Sequence, residues 1–387
     1  MDRSRCSDDP AALRARAIAA GRAAGADAVG VADAEPDVHA RDALRAAFAR
    51  GDYATWPYDD AYAERATSPQ SLLPGARSVV CFAVMFGTTP PPAGRAPLSG
   101  RVSNYAWGAD YHRVLRRIGR AIAAELDAAA GEPATEVACD TAPLSERGFA
   151  RRAGLGWLGK HANLIAPRLG SFVFLGEVLT TLALAPDAPS RKSCGSCTRC
   201  VVACPTEALR GDGTIDATRC ISDLTQRQDG IPRALRALVG DWIWGCDVCQ
   251  EVCPPTRLAG AAGNLSFAAG NSTDAFPDLQ QLLGLRSSAF KRRYRKTAMG
   301  WRGPAVLRRN AAVALGNSLD RASVPALVRA LAADAVAMVR GHAAWALGRI
   351  ASPAALAALT VAADEEADPE VRLEIGEALK PFARRDR

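Results

Sequence analysis

"CGSCTRCVVACP", residues 194–205, carries four cysteines with two, two and three residues between them and a proline after the last. In a reducing compartment, thiols held this close together are metal ligands far more often than disulfides. The spacing C-x2-C-x2-C-x3-C-P is that of bacterial ferredoxins. There the first three thiolates hold one [4Fe–4S] cluster and the fourth serves a neighbouring cluster. A second run, "IWGCDVCQEVCPP" (243–255), gives Cys246, Cys249 and Cys253 the spacing of the second, third and fourth ligands. Ile243, which cannot bind iron, stands where the first would be, and Cys220 in "RCISDL" supplies the missing thiolate. Exchange of the fourth ligands then assigns Cys194, Cys197, Cys200 and Cys253 to one cluster, and Cys220, Cys246, Cys249 and Cys204 to the other. Paired zinc sites could also use C-x2-C units. The proline after each terminal cysteine and the interleaved third spacing favour iron–sulfur.

The rest of the chain is much larger than a ferredoxin. Its 387 residues suffice for two or three domains, and 49% hydrophobic with 23% charged residues describes an ordinary globular composition that excludes wholesale disorder. Of eleven cysteines, eight fall between Cys194 and Cys253. Cys6, Cys81 and Cys139 are scattered, and Cys81 in "SVVCFAV" reads as a core thiol. The first thirty residues lack a continuous apolar core, a cleavage site or a twin-arginine signal. The longest apolar stretch, "FVFLGEVLTTLALA" (172–185), is too short for a bilayer and contains Glu177. A cytoplasmic protein with no membrane partner is expected.

Helix and strand signals mix in the N-terminal half. "AALRARAIAAGRAAG" and "YHRVLRRIGRAIAAEL" have helical periodicity, "SVVCFAVMF" and "SFVFLGEVLTT" read as buried strands, and "TEVACD" is a short strand that ends on Asp140. A proline-rich loop lies at 87–97, and "APDAPSRKS" (185–193) reads as the linker into the cysteine segment. Further on, "LRRNAAVAL" (307–315), "VRGHAAWAL" (339–347) and "VRLEIGEAL" (371–379) align with a constant period of 32 residues, with proline-containing helices between them. The units resemble HEAT repeats, stacked helix pairs that present surfaces to partners and perform no chemistry.

Formal net charge is +7, and its distribution is uneven. No acidic residue occurs from Leu279 to Leu319, whereas Arg286, Lys291, Arg292, Arg293, Arg295, Lys296, Arg302, Arg308 and Arg309 all do. Uncompensated charge of this extent suits a polyanion, nucleic acid above all. Arg292, Arg293, Arg295, Lys296, Arg308 and, in the second repeat, Arg340 are the candidate contacts.

No G-x-G-x-x-G follows a strand, so no nicotinamide or flavin fingerprint is present. "DVHARD" (37–42) places Asp and His as in a base-off cobalamin motif, but Asp42 replaces the glycine, and the match reads as chance. The residues alone therefore leave a redox enzyme or an electron carrier of unknown cofactor.

Four features in order along the chain carry a closer resemblance: "SNYAWGADYH" (103–112), "CDTAPLSERGFARRAGLGWLGKHANLI" (139–165), the cysteine runs with "CISDLTQ" (220–226), and the HEAT-like units. Together, from about Arg65 to Phe382, they resemble the cobalamin-dependent epoxyqueuosine reductases, whose relatives are the reductive dehalogenases. The resemblance implies an α+β cobalamin-binding domain (1–185), a ferredoxin-like domain with two [4Fe–4S] clusters (186–260), a basic connecting segment (261–300) and an all-α HEAT-like domain (301–387). It implies a cytoplasmic, monomeric oxidoreductase of queuosine biosynthesis. Such an enzyme reduces epoxyqueuosine at the tRNA wobble position with cobalamin (vitamin B12), drawing electrons from an external donor of unknown identity. Asp140 corresponds to the family's proton donor, which can serve if burial keeps it protonated. Ala142-Pro143 beside it departs from the Gly-Glu of some members. By motif position, Arg65, Ser103, Asp140, Arg147, Lys160, Ser222 and Asp247 are the corrin candidates. The family binds cobalamin without a protein histidine, so neither His112 nor His161 is taken as a cobalt ligand. A cytoplasmic dehalogenase-like enzyme and a non-catalytic iron–sulfur adaptor are the alternatives. The dehalogenase relatives usually carry export signals and lack the repeats.

Overall fold

The computed structural model describes residues 9–89, 95–261 and 263–383. Cys6 and residues 90–94 of the proline-rich loop lie outside them. Two compact units emerge: Met1–Thr89, Asp110–Thr218 and Val248–Phe267 form the first, and Pro90–Ala109, Arg219–Asp247 and Ala268–Arg387 the second. The chain passes between the units inside the expected ferredoxin-like segment, so Cys194, Cys197, Cys200, Cys204, Cys249 and Cys253 belong to the first and Cys220 and Cys246 to the second.

The first unit is built on an antiparallel sheet in the order Ala28–Asp33, Ser78–Met85, Val173–Thr180, Thr135–Ala138. The two apolar runs read as strands from the sequence are its central pair. Ser78–Met85 is buried at every position, as expected for a strand covered on both faces. The helices Pro10–Ala23 and Tyr111–Ala130 pack on each other, the second also against the sheet. Asp110 caps the start of the Tyr111–Ala130 helix by accepting from the His112 amide, and Gly131 ends it at φ 74°. Between these caps Val114, Leu115, Ile118, Ile122 and Leu126 recur at helical spacing and are buried. Each such side chain contributes about 1.5–3 kcal/mol of transfer free energy. Gly119 sits where a β-carbon would come within 2.6 Å of Val137, so the helix presses on the edge strand that leads to Asp140. The short helix Glu146–Arg152 covers the strands Ala28–Asp33, Ser78–Met85 and Val173–Thr180. Phe149, Ala150, Ala153 and Leu155 share an apolar cluster there with Cys81, Leu175 and Leu179.

In the second unit, Arg101–Val102 pairs in parallel with Trp242–Trp244. The helices Pro304–Ser318, Val324–Ala333, Ala337–Ile350, Pro353–Glu365 and Pro369–Ala383 stack as the 32-residue period requires. The repeated arginine has a structural partner. Arg308 reaches Asp334 through Nε (2.7 Å) and Nη2 (3.0 Å), and Arg340 reaches Glu366 at 2.7 and 2.8 Å. Each pair ties the start of one repeat to the end of its second helix, and the carboxylates are only 8% exposed. Among the described residues no helix is long and apolar enough to cross a membrane.

Candidate active site and cluster ligands

Asp140 lies two residues past the edge strand Thr135–Ala138, as the sequence pattern expects. Its backbone is left-handed, φ 50°, a conformation that costs a residue with a β-carbon about 1 kcal/mol and that aspartate tolerates better than most. Three contacts hold it. The backbone N–H of Asp140 donates to Glu146 Oε1 at 2.6 Å, His112 Nε2 lies 3.1 Å from Asp140 Oδ2, and the Tyr111 side chain hydrogen-bonds the same carboxyl. His112 Nδ1 is in turn 2.7 Å from Asp110 Oδ1, so the imidazole bridges two carboxylates.

This pairing decides where the proton sits. Half of the Asp140 side chain is open to solvent. Partial burial raises its pKa, but the hydrogen bonds from His112 and Tyr111 outweigh burial and hold it below the ordinary carboxylate value. His112 moves up, chiefly through its bond to Asp140. This runs against the expectation that burial keeps Asp140 protonated: the bonds from His112 and Tyr111 favour the ionised carboxylate, and those to Asp140 and Asp110 favour the protonated imidazole. His112, set aside as a cobalt ligand, is the partner of the catalytic candidate. The signal was available in "DYH", an N-cap aspartate followed two residues later by a histidine. His161 is 2% exposed and burial pushes it down to about 4, while its Nδ1 accepts from the Asn163 amide.

The other corrin candidates separate by unit. Arg65 is exposed near the end of the helix Asp60–Thr67. Arg147 donates to the Ala162 carbonyl and lines a cavity of about 340 Å³ walled by Ala40, Leu44, Leu158 and the buried Asp37 and Asp52. Lys160 Nζ donates to the Gly195 carbonyl at 2.9 Å, inside the first cysteine run. In the second unit, Ser103 and Asp247 are both buried and bonded to one another at 2.5 Å, and the Asn104 amide donates to the other Asp247 oxygen at 2.7 Å. Gly245 permits this approach. Its φ is +67°, and a β-carbon there would lie 2.5 Å from that of Ser103. Ser222 Oγ accepts from Gln226 Nε2 at 3.2 Å.

Among the described residues no disulfide joins any of the eight cysteines. Cys194 and Cys253 pack together against Trp157 and Ile165. Burial pushes the Cys200 thiol up, with Cys194 and Cys253 adding to it, and burial likewise raises Cys253, with Cys194 and Cys197 adding to that. The four sulfurs thus lie within electrostatic reach of one another. A set of thiols that oppose each other's ionisation suits a cationic cluster, which relieves that repulsion by binding them as thiolates. The Cys204 sulfur accepts from the Ala208 amide at 3.3 Å. For the remaining set, two residues missed in the sequence hold the backbone. Arg309, 0% exposed, donates to the carbonyls of Leu224, Arg227 and Asp229, and Asn310 donates to those of Thr225 and Ile243. They clamp the segments that carry Cys220 and Cys246. Arg309 is therefore no surface cation, and burial lowers it to about 9.

The basic segment resolves into two groups. Arg286, Lys291, Arg292, Arg293, Arg295 and Lys296 are exposed, although Arg293 also donates to Thr273. Arg302 donates to the Gln226 carbonyl and stacks on Trp301, while Arg308 and Arg340 form the repeat pairs described above.

Comparison with known proteins agrees with this architecture. Residues 193–256 match the 4Fe-4S double cluster binding domain and residues 302–380 match HEAT repeats. Fold and site thus define a double-cluster iron–sulfur protein with a helical-repeat C-terminus. Residues 66–141, ending on the Asp140 turn, match the family described as Epoxyqueuosine reductase QueG, DUF1730. The epoxyqueuosine reductase of Bacillus cereus is 35% identical over 333 residues, which span 83% of this chain and 85% of that protein. A crystal structure of epoxyqueuosine reductase with an epoxyqueuosine-modified tRNA-Tyr stem loop superposes with a TM-score of 0.88 at 32% identity, covering 95% of this chain and 98% of that one. A Bacillus subtilis epoxyqueuosine reductase, described with its catalytic aspartate loop swung out of the active site, gives the same score, identity and coverage. The chain belongs to the epoxyqueuosine reductase family.

Proposed function

We propose that this protein reduces epoxyqueuosine in tRNA to queuosine, using two [4Fe–4S] clusters and cobalamin. The observation that carries this reading is the placement of Asp140, paired to His112, at the end of the family-defining segment. Conversion of an epoxide to an alkene and water consumes two electrons and two protons. Cobalamin, when bound, would supply a low-valent cobalt nucleophile, with the clusters as the source of single electrons. Hydroxyl and guanidinium donors suit its amide-fringed corrin and its phosphate, and Arg65, Ser222 and Arg147 are the chain's candidates for those contacts. Ser103 and Asp247 spend their polar atoms on each other and shape the backbone beside Cys246.

The chain's own acid–base groups do the proton work. As the epoxide opens, negative charge grows on its oxygen, and a donor within hydrogen-bond reach lowers that barrier. Substrate that covers the exposed half of Asp140 removes water from the carboxyl. This raises its pKa and draws the shared proton from His112 onto the aspartate. His112, held by Asp110, is then the local store that reloads Asp140. On this reading the Asp140 turn corresponds to the catalytic aspartate loop that is swung out of the active site in the Bacillus subtilis structure. The exposed cations between Arg286 and Lys296 take the tRNA backbone, and an external one-electron donor feeds the clusters.

Two measurements test this reading. Protein purified anaerobically with cobalamin should bind it stoichiometrically and show cob(II)alamin absorption beneath the cluster band. A strain lacking the gene should accumulate epoxyqueuosine in tRNA in place of queuosine. Normal queuosine in that strain would sink the assignment.

A further inference from the structure

Beneath Asp140 lie two carboxyls that the reaction as described does not use. Glu177 is central in the strand Val173–Thr180, opposite Cys81 on one side and Ala138 on the other. It is 0% exposed, and neither of its carboxyl oxygens has a hydrogen-bond partner among the described residues. Buried acids without partners are rare because they destabilise the fold that holds them. The sheet face that Glu177 shares with Cys81 is covered by the helix Glu146–Arg152. The first residue of that helix is Glu146, whose Oε1 accepts the Asp140 N–H at 2.6 Å.

We propose that Glu146 is the positioning residue of Asp140. Its carboxyl latches the Asp140 backbone in the left-handed turn that sets the acid against His112, with the unpartnered Glu177 carboxyl buried behind it. The functional meaning of the latch rests on the reading of Asp140 as the reaction's acid. The geometry of the latch does not.

Burial of the Glu146 carboxyl pushes it up to about 7, with the neighbouring Asp140 charge acting in the same direction. The Asp140 amide, Arg147 and His112 oppose this. Glu177 is raised well above the ordinary range by burial, and a charge on Glu146 raises it further. The remaining titratable neighbours are Cys81 and Cys139, whose thiols burial raises, and Tyr62. In the same region, Arg152 pairs with Asp33. The sign follows from the raised value. Relative to a swung-out loop with Glu146 in water, the latched state binds the extra proton. Latching is strongest below the ordinary glutamate pKa and weakens as pH rises through about 7. Between pH 6 and 8 the latch constant should fall about tenfold.

Hydrogen–deuterium exchange of the full-length, cluster-loaded protein tests this, with peptides covering residues 139–145 corrected for intrinsic exchange chemistry. Wild-type protection should fall about tenfold from pH 6 to pH 8. Glu146→Ala should lose that protection already at pH 6. Glu146→Gln keeps an acceptor oxygen but cannot ionise, so it should stay protected and lose the Glu146-linked part of the pH dependence. His112 and Asp140 remain in every variant, so the difference between wild type and Glu146→Gln isolates Glu146. Wild-type protection in Glu146→Ala, or identical pH dependence in wild type and Glu146→Gln, overturns the proposal. Where the alanine variant does not fold, the glutamine comparison alone decides. None of this needs cobalamin or tRNA. A failure to reduce epoxyqueuosine would remove the role of Asp140 and leave the latch standing, whereas unchanged exchange in an active enzyme would remove only the latch.

Discussion

Replacing Arg292, Arg295 and Lys296 together with alanine should weaken tRNA binding in a way that salt exposes. These three side chains are exposed, whereas Arg293 is partly committed to Thr273 and Arg308 and Arg340 are bound by Asp334 and Glu366. Each cation that sits on a phosphate releases counterions when it binds and contributes about 0.7–0.9 to the slope of log affinity against log salt. The triple variant should therefore have a slope shallower by about 2 to 2.7. Between 50 and 200 mM salt, wild-type affinity should then drop by about 20- to 40-fold more than that of the variant. Fluorescence anisotropy with a labelled anticodon stem loop reads this directly, and the cluster absorption should not change. Arg340→Ala is the control. It breaks a repeat-internal pair, so it should lower Tm while leaving the slope alone. A slope change below about 0.5 in the triple variant, or a full change in Arg340→Ala, would refute the division of the basic residues into phosphate-facing and structural cations.

Two further outcomes are expected. Asp140→Asn keeps shape but cannot donate an acidic proton, so single-turnover conversion by the pre-reduced variant should slow by about 10²- to 10⁴-fold while tRNA still binds. A rate within about threefold of wild type across pH would mean that another group protonates the oxygen. Cys220→Ala should lose one cluster and spare most of the other, leaving iron near half of the wild-type content. Unchanged iron and activity would remove Cys220 from the ligand set.

Much of this was legible because its signals are local. The two buried strands and the long amphipathic helix follow from the apolar period of their own residues, and "TEVACD" does deliver Asp140 at a strand end. The cysteine spacing and the 32-residue period are likewise self-contained. What stayed hidden depends on partners distant in sequence. The arginine in each of the first two repeats looks like a surface cation until its carboxylate, 26 residues on, is seen beside it. Arg309 sits in the same basic run, yet it is wholly buried because three carbonyls some 80 residues earlier need a donor. Asp140 reads as an acid that burial could keep protonated. The bond that favours its ionised form comes from His112, 28 residues upstream on the Tyr111–Ala130 helix. Glu177 merely interrupts an apolar run in the sequence. Only the register that sets it opposite Cys81 and Ala138 reveals a carboxyl with no hydrogen-bond partner among the described residues.

The central claim is that this chain's own acid, clusters and cobalamin together reduce epoxyqueuosine in tRNA. It is tested most directly by anaerobic single-turnover conversion. Protein reconstituted with iron, sulfide and cobalamin is reduced chemically, mixed with tRNA bearing epoxyqueuosine, and the nucleosides are resolved by mass spectrometry. The account predicts queuosine appearing as epoxyqueuosine disappears, only when cobalamin is present, and far more slowly in Asp140→Asn. Full conversion without cobalamin, or no conversion by protein shown to hold both clusters and cobalamin, would contradict it.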